Sequence, residues 1–309
     1  MNYWILFEQL LVLLAMMATG YIAYSVKIID DKGYSQLSSL VVRILNPFLM
    51  ISGVLGKRIA FSSAEIGQNI NFVLALYSIL FLLGFVYVRL IRCIDNRSYL
   101  LRMLILLPNV GFMGIPLVKE ILGAEYIVLV AFYILGFNLI AYTYGIHLSA
   151  KYGGKNAKFS LKTLFNPGVI CAVLAIIIFA YHIVLPSPVA SFINYLGESC
   201  IVLSMIVVGA FLAKTDLKQV FINKQNLLFV FVFMFLVPLI MVVISKKIQC
   251  NTNIAAVFGI MACMPVGSAT CMFAQEYGGD GTEAAHIVAS TTVSTVITAP
   301  LVFYLANFI

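Results

Sequence analysis

The chain has 309 residues, 62% of them hydrophobic and only 10% charged, with a mean hydropathy of +1.05 and a net charge of +7. A soluble domain carries about 25% charged residues, so the composition excludes substantial soluble mass and implies an all-α integral membrane protein. The basic surplus is accounted for by membrane topology and anionic headgroups, and nucleic-acid binding is not needed to explain it.

A helix needs about 20 apolar residues to cross a bilayer. Ten such spans are predicted, at 3–25, 34–56, 68–90, 98–118, 124–150, 165–184, 188–213, 225–246, 253–275 and 282–306. Span one lacks a preceding basic region, carries Glu8 and is too long for the apolar part of a signal peptide. The longest polar connection, about Lys151 to Lys162, is too short for an extramembrane domain. Connections after odd-numbered spans hold thirteen Lys and Arg residues against five on the opposite side. The basic side is cytoplasmic by the positive-inside rule, which places both termini outside a cytoplasmic membrane.

Arg43 lies inside span two, four residues before Pro47. A central arginine costs about 2.5–3.5 kcal/mol on insertion scales. Snorkelling to the cytoplasmic side or a structural pair is the preferred reading, with a substrate carboxylate as the alternative. Span four contains Leu107-Pro108-Asn109-Val110-Gly111-Phe112-Met113-Gly114-Ile115-Pro116. Two prolines, two glycines and an asparagine interrupt an apolar run there. Lipid cannot satisfy a broken helix, so protein or a wet cavity must cover it. Such discontinuous spans form the sites of many secondary transporters; a plain proline kink is the simpler reading. Asn109 offers two donors and an acceptor at this break, for a substrate or for its own helix end. In span five, Asn138 and Tyr142 share a helix face, fit either to line a site or to bond a neighbouring helix.

Glu8 and Glu198 fall near the outer ends of spans one and seven, where the interface explains them; a proton relay is the alternative. Span nine has a second break, Met264-Pro265-Val266-Gly267-Ser268-Ala269-Thr270, whose Ser268 and Thr270 are site candidates. In span ten, Ser290, Ser294 and Thr298 form a stripe with Thr291 and Thr295 beside it, read as close packing with back-bonded hydroxyls before a polar path. His147, His182 and His286 lie near span ends without metal-ligand spacing, so no metal is expected. The six cysteines form no CxxC pair and read as small buried residues. No cofactor loop or nucleophile motif is present. Spans three, five, eight and ten have no central Asp or Glu, which argues against a sodium/proton antiporter.

A shift of 157 residues superposes spans one, three and five on 160–182, 225–247 and 281–307, and carries Pro108 onto Pro265. Five spans is an odd number, so the halves 1–151 and 158–309 insert with opposite orientation. The expected fold is a 5+5 inverted repeat in which broken helices 4 and 9 cross. If they cross, half-helix N-termini meet at mid-membrane, and their free N–H groups and partial positive charge suit an anion.

The motif LPNVGFMGIPLVKEILG at 107–123 resembles the fourth span of the auxin efflux carrier family, which includes the plant PIN-type carriers and bacterial malate-permease-like carriers. Leu45-Asn46-Pro47-Phe48-Leu49, Phe132 to Asn138, Asn166-Pro167-Gly168 and Met264-Pro265 with Ala274 to Asp280 are similar to further family segments. The resemblance covers the whole chain. It implies a scaffold of spans 1, 2, 6 and 7, a transport domain of spans 3–5 and 8–10, a homodimer and elevator-like movement. It also implies that Asn109 holds a substrate carboxylate and that Asn138 and Tyr142 line the site. The long loop of many plant members is absent, which points to the compact bacterial form, and no acid–base pair stands in 68–88, which argues against the plant route to proton coupling. The expected function is secondary transport of a small organic anion. It would be bound by Asn109, by the break residues Pro108, Val110, Gly111, Pro265, Gly267, Ser268 and Thr270, and by Asn138 and Tyr142. A sodium-coupled bile-acid-type symporter and a non-transporting membrane sensor are the rivals.

Overall fold

The computed structural model describes residues 3–53, 55, 61–93, 95–154, 167–181, 183–215, 223–248, 251–276 and 281–308. His182, Cys250 and the segment from Tyr277 to Asp280 lie outside them. The described chain is helical: α1 Tyr3–Ser25, α2 Asp31–Leu40, α3 Asn46–Ser52, α4 Ser63–Leu90, α5 Arg97–Leu106, α6 Ile115–Ile121, α7 Ile127–Ile140 and α8 Ile146–Tyr152. There follow α9 Pro167–Ala180, α10 Ser187–Ala213, α11 Lys224–Val230, α12 Val237–Lys247, α13 Thr252–Ala262, α14 Ala269–Glu276 and α15 Gly281–Leu305. Among the described residues, six helical stretches are long and apolar enough to cross a membrane: Phe7–Ser25, Ser63–Leu90, Ala124–Tyr152, Ser187–Ala213, Lys224–Lys247 and Gly281–Leu305. Shorter apolar helices accompany them at Val169–Ala180 and Thr252–Ala262.

Caps set several of the starts. Ser62 and Glu65 form a reciprocal capping box at the head of α4, satisfying N–H groups that the helix cannot. Asp30, Asn223 and Asn251 cap α2, α11 and α13 through their side-chain oxygens. Inside the long stretches, prolines leave a different mark. Wide π-turns at Val41–Leu45, Val110–Gly114 and Phe231–Leu236 each end two residues before a proline, Pro47, Pro116 and Pro238. A helical proline lacks an N–H and collides with the carbonyl four residues back. That carbonyl belongs to Arg43, Phe112 or Met234, each inside the widened turn, so the helix continues through the proline instead of ending there. Pro116 is therefore not a second break in span four.

The tightest packing joins α1 to α10. A Cβ on Gly209 would lie 1.8 Å from the Met17 carbonyl oxygen, and one on Gly20 2.1 Å from that of Ile206. The two backbones touch because neither glycine has a side chain, the way membrane helices gain contact without a hydrophobic drive between them. Helix α10 also packs on α3, α3 on α9, and α9 on α7. Helix α4 packs on α5, α7 and α13, and α15 on α14 and α1. At one end of α10, Lys214 Nζ lies 2.5 Å from Asp31 Oδ1, and the Tyr24 hydroxyl donates to the same carboxylate at 2.9 Å. Those two hydrogen bonds, Lys214 first, hold the exposed Asp31 carboxyl below its usual range. Arg97 pairs with Glu283, tying α5 to α15.

Candidate functional site

Helix α5 stops at Leu106 because Pro108 follows. The residue before a proline is pushed out of the helical region, and Leu107 sits at φ −117°, ψ 74°. Asn109 (φ −79°, ψ 56°) restarts the helix: its Oδ1 accepts the Phe112 N–H at 3.3 Å, an N-cap in mid-span. Helix α13 ends likewise at Ala262 ahead of Pro265, and the chain becomes helical again at Ala269. There Thr270 Oγ1 donates to the Gly267 carbonyl at 2.7 Å.

The two breaks meet. Pro108 and Val266 form an isolated antiparallel bridge. The Asn109 N–H donates to the Pro265 carbonyl at 2.7 Å, and the Gly267 N–H donates to the Leu107 carbonyl at 2.8 Å. Each break thus supplies the hydrogen-bond partners that lipid could not give the other. The two bonds interchange when each residue is replaced by its counterpart in the other half, at a shift one residue longer than the one that aligns Pro108 with Pro265. A third donor, the Val266 N–H, reaches Thr291 Oγ1 on α15 at 3.2 Å.

Of the ten candidate residues, Pro108, Asn109, Val110, Gly111, Pro265 and Gly267 are brought together at this crossing, with Ser268 and Thr270 at its edge. Asn109 is 6% exposed and Ser268 9%. Gly267 leaves little room for a side chain: a Cβ there would stand 3.0 Å from the Leu107 carbonyl oxygen and 3.6 Å from the Phe137 ring on α7. Asn138, one residue on, donates Nδ2 to the Ile134 carbonyl of its own helix at 2.9 Å. Tyr142 stands edge-on to Phe273 of α14 at 5.6 Å. On the side of the crossing away from these polar groups, Pro108, Val266 and Met264 border an apolar void of 20 Å³ that is otherwise walled by side chains such as Leu76, Leu104 and Phe233, room for at most one water.

Two residues outside the sequence-derived set belong here. Asn46, in α3, brings Nδ2 to 3.7 Å from where a Gly111 Cβ would be, and its Oδ1 is buried with no hydrogen-bond partner. A buried amide oxygen without a donor costs about 1–3 kcal/mol, which a ligand donor or water would recover. The adjacent Pro47 inside a span was the one signal for it. Thr291 reads from sequence as packing with a back-bonded hydroxyl, and it does donate back along α15, at 2.9 Å to Ile287. The hydroxyls of Thr295 and Thr298 do the same, to Thr291 and Ser294. Thr291 also reaches across to the break. Exchanging Thr291 for the near-isosteric valine strands the Val266 N–H, at a cost of about 1–3 kcal/mol. The expected result is a lower melting midpoint and slower transport for Thr291→Val, with Thr291→Ser restoring both; thermal melts and flux on the same preparations check this.

The remaining candidates have surroundings of their own. Arg43 is exposed on its π-turn. Glu8 is exposed on α1, and Glu198 lies 3.9 Å from Lys119. His147 stacks on Tyr144. Cys200, Cys263 and Cys271 are buried free thiols. Among the described residues, no three His, Cys, Asp or Glu side chains gather where a metal ion could sit.

Comparison with individual curated proteins gives no match. The membrane transport protein family does match, over residues 5–303, nearly the whole chain. An apolar helical chain with two interrupted helices paired at their breaks, matched along its length by that family, belongs to it: this is a multi-pass membrane transporter of the auxin efflux carrier family, not an enzyme.

Proposed function

We propose that the protein carries a small organic anion, a carboxylate, across the cytoplasmic membrane by alternating access. The observation that carries this reading is the buried pairing of the two breaks. It sets the helix starts at Val110 and Ala269 beside each other, and helix starts favour negative charge. Asn109 and the backbone around Gly111 and Gly267 hold the carboxylate. Ser268, Thr270, Asn138 and Tyr142 complete the polar lining, and Asn46 reaches it from the other side. Asn109 is 6% exposed and Ser268 9%, so access to them requires the helices around the crossing to part.

That requirement fits an elevator. The ten predicted spans form a 5+5 inverted repeat, with α1, α2–α3, α9 and α10 as the scaffold and the rest as the moving body. The tight α1–α10 contact suits the static part. The protein works as a homodimer with both termini outside. An inside-negative potential favours anion export by about 2.3 kcal/mol per charge per 100 mV. Counterflow of labelled mono- and dicarboxylates and indole acids in proteoliposomes tests the reading, with and without sodium and pH gradients. The expected result is saturable exchange of one carboxylate class without sodium. Strict sodium dependence would instead indicate a cation symporter, and binding without flux a sensor.

A further inference from the structure

Away from the crossing, a cavity of 370 Å³ opens between α4 and α5, lined by Phe85, Val86, Val88, Arg89 and Arg102. Arg102 is held firmly in it. Its Cγ lies 3.5 Å from where a Gly84 Cβ would be, so the side-chain stem runs over a bare patch of α4. Its guanidinium sits 4.6 Å from the centre of the Phe85 ring and 5.2 Å from that of Tyr99, an aromatic seat that favours a cation. Arg102 Nε is buried and has no hydrogen-bond partner. Among the described residues, neither Arg102 nor Arg89 pairs with a carboxylate. Asp95, the acid nearest in sequence, accepts from Cys93, and Glu283 on α15 holds Arg97.

Two guanidinium groups therefore line one cavity with their charge unmatched and one donor stranded. A stranded buried donor costs about 1–3 kcal/mol, and the two like charges oppose each other. One ligand removes both costs: an anion with several acceptor oxygens. Phosphate fits the planar guanidinium fork better than any side chain at hand. The rim narrows the choice. Phe85 and Val86 are 40% and 49% exposed on a helix that is long and apolar enough to cross the membrane, so the ligand carries an apolar part that lies along α4. Arg89 is the penultimate residue of α4, and Arg102 lies about 8 Å along α5 from Arg97, which sets the cavity toward a membrane surface rather than mid-membrane.

We infer that Arg89 and Arg102 form a binding site for the phosphodiester of an anionic lipid headgroup. Its leaflet is the cytoplasmic one, by the bias of basic residues in the connections; the site itself does not depend on the transported substrate.

Native mass spectrometry of the full-length protein in detergent tests this, with phosphatidylglycerol, phosphatidylcholine and soluble glycerol 3-phosphate added in turn. Wild type is expected to retain phosphatidylglycerol at least tenfold more tightly than phosphatidylcholine. The double variant Arg89→Gln/Arg102→Gln should lose that preference, while Lys27→Gln/Lys32→Gln, the same charge change elsewhere, keeps it. Arg102→Lys, which preserves charge and fold but not the fork, should fall between. Equal loss in both double variants would overturn the site in favour of general surface charge. No preference in wild type, or displacement of the lipid by an equal concentration of glycerol 3-phosphate, would overturn the lipid assignment.

Discussion

Replacing Gly209 with alanine is expected to separate α1 from α10 and to cost about 3 kcal/mol, the upper end of the range for overpacking. The new methyl would stand 1.8 Å from the Met17 carbonyl oxygen, 2.7 Å from its carbon and 2.9 Å from the Tyr21 nitrogen. All three are backbone atoms, so no side chain can rotate away, and the helices must move apart. Gly20→Ala meets the Ile206 backbone in the same way. Because both glycines serve one contact, the double variant should lose less than the sum of the two. The yield of monodisperse protein and its melting midpoint in detergent measure this. A Gly209→Ala protein as stable as wild type would remove the close α1–α10 contact from the account.

The second large effect is expected at Gly267. Valine there places its Cβ 3.0 Å from the Leu107 carbonyl oxygen, the same atom that accepts the Gly267 N–H. The valine methyls have the Phe137 ring on one side and the Pro108 carbonyl on the other, each 3.6 Å from the Cβ position. No positive φ is involved, so the backbone tolerates valine and only space is short. The paired breaks must spread, which loosens their two cross-bonds. Global stability should fall by about 1–3 kcal/mol, less than at Gly209, while transport falls at least tenfold because the lost geometry is that of the site. Gly267→Ala, with one methyl at a tight but negotiable distance, should retain part of the flux. Comparing flux with melting midpoint across the two variants separates loss of the site from loss of the fold.

The sequence carried some of this plainly and some not at all. Both breaks were legible because Pro108, Asn109, Gly111, Pro265 and Gly267 are residues an uninterrupted membrane helix has little use for. That the breaks pair through Pro108 and Val266 was not, since register between segments so far apart is set by packing and not by local composition. The π-turns were hidden for a related reason. Pro47, Pro116 and Pro238 announce a disturbance, but whether a helix breaks or merely widens depends on what its neighbours allow. Span two was predicted to run to residue 56, whereas α3 ends at Ser52. The apolar run continues past the helix, and hydropathy cannot tell them apart. Thr291 does bond back to its own helix as read from the sequence, but that it also accepts the Val266 N–H was not legible, because a back-bonded hydroxyl looks the same in sequence whether or not it reaches a neighbour. Asn46 was passed over as part of a proline motif, and only its unpartnered buried oxygen marks it out.

The central claim is that the paired breaks hold an organic anion, with Asn109 at their centre. Electrogenic flux through wild type and Asn109→Ala, recorded side by side in proteoliposomes with a panel of carboxylates, tests it most directly. The account predicts currents for one class of carboxylate in wild type that fall at least tenfold in the variant, with the variant's melting midpoint lowered by no more than loss of one helix cap, about 1 kcal/mol. Carboxylate currents of wild-type size in Asn109→Ala would contradict it and move the substrate away from the crossing.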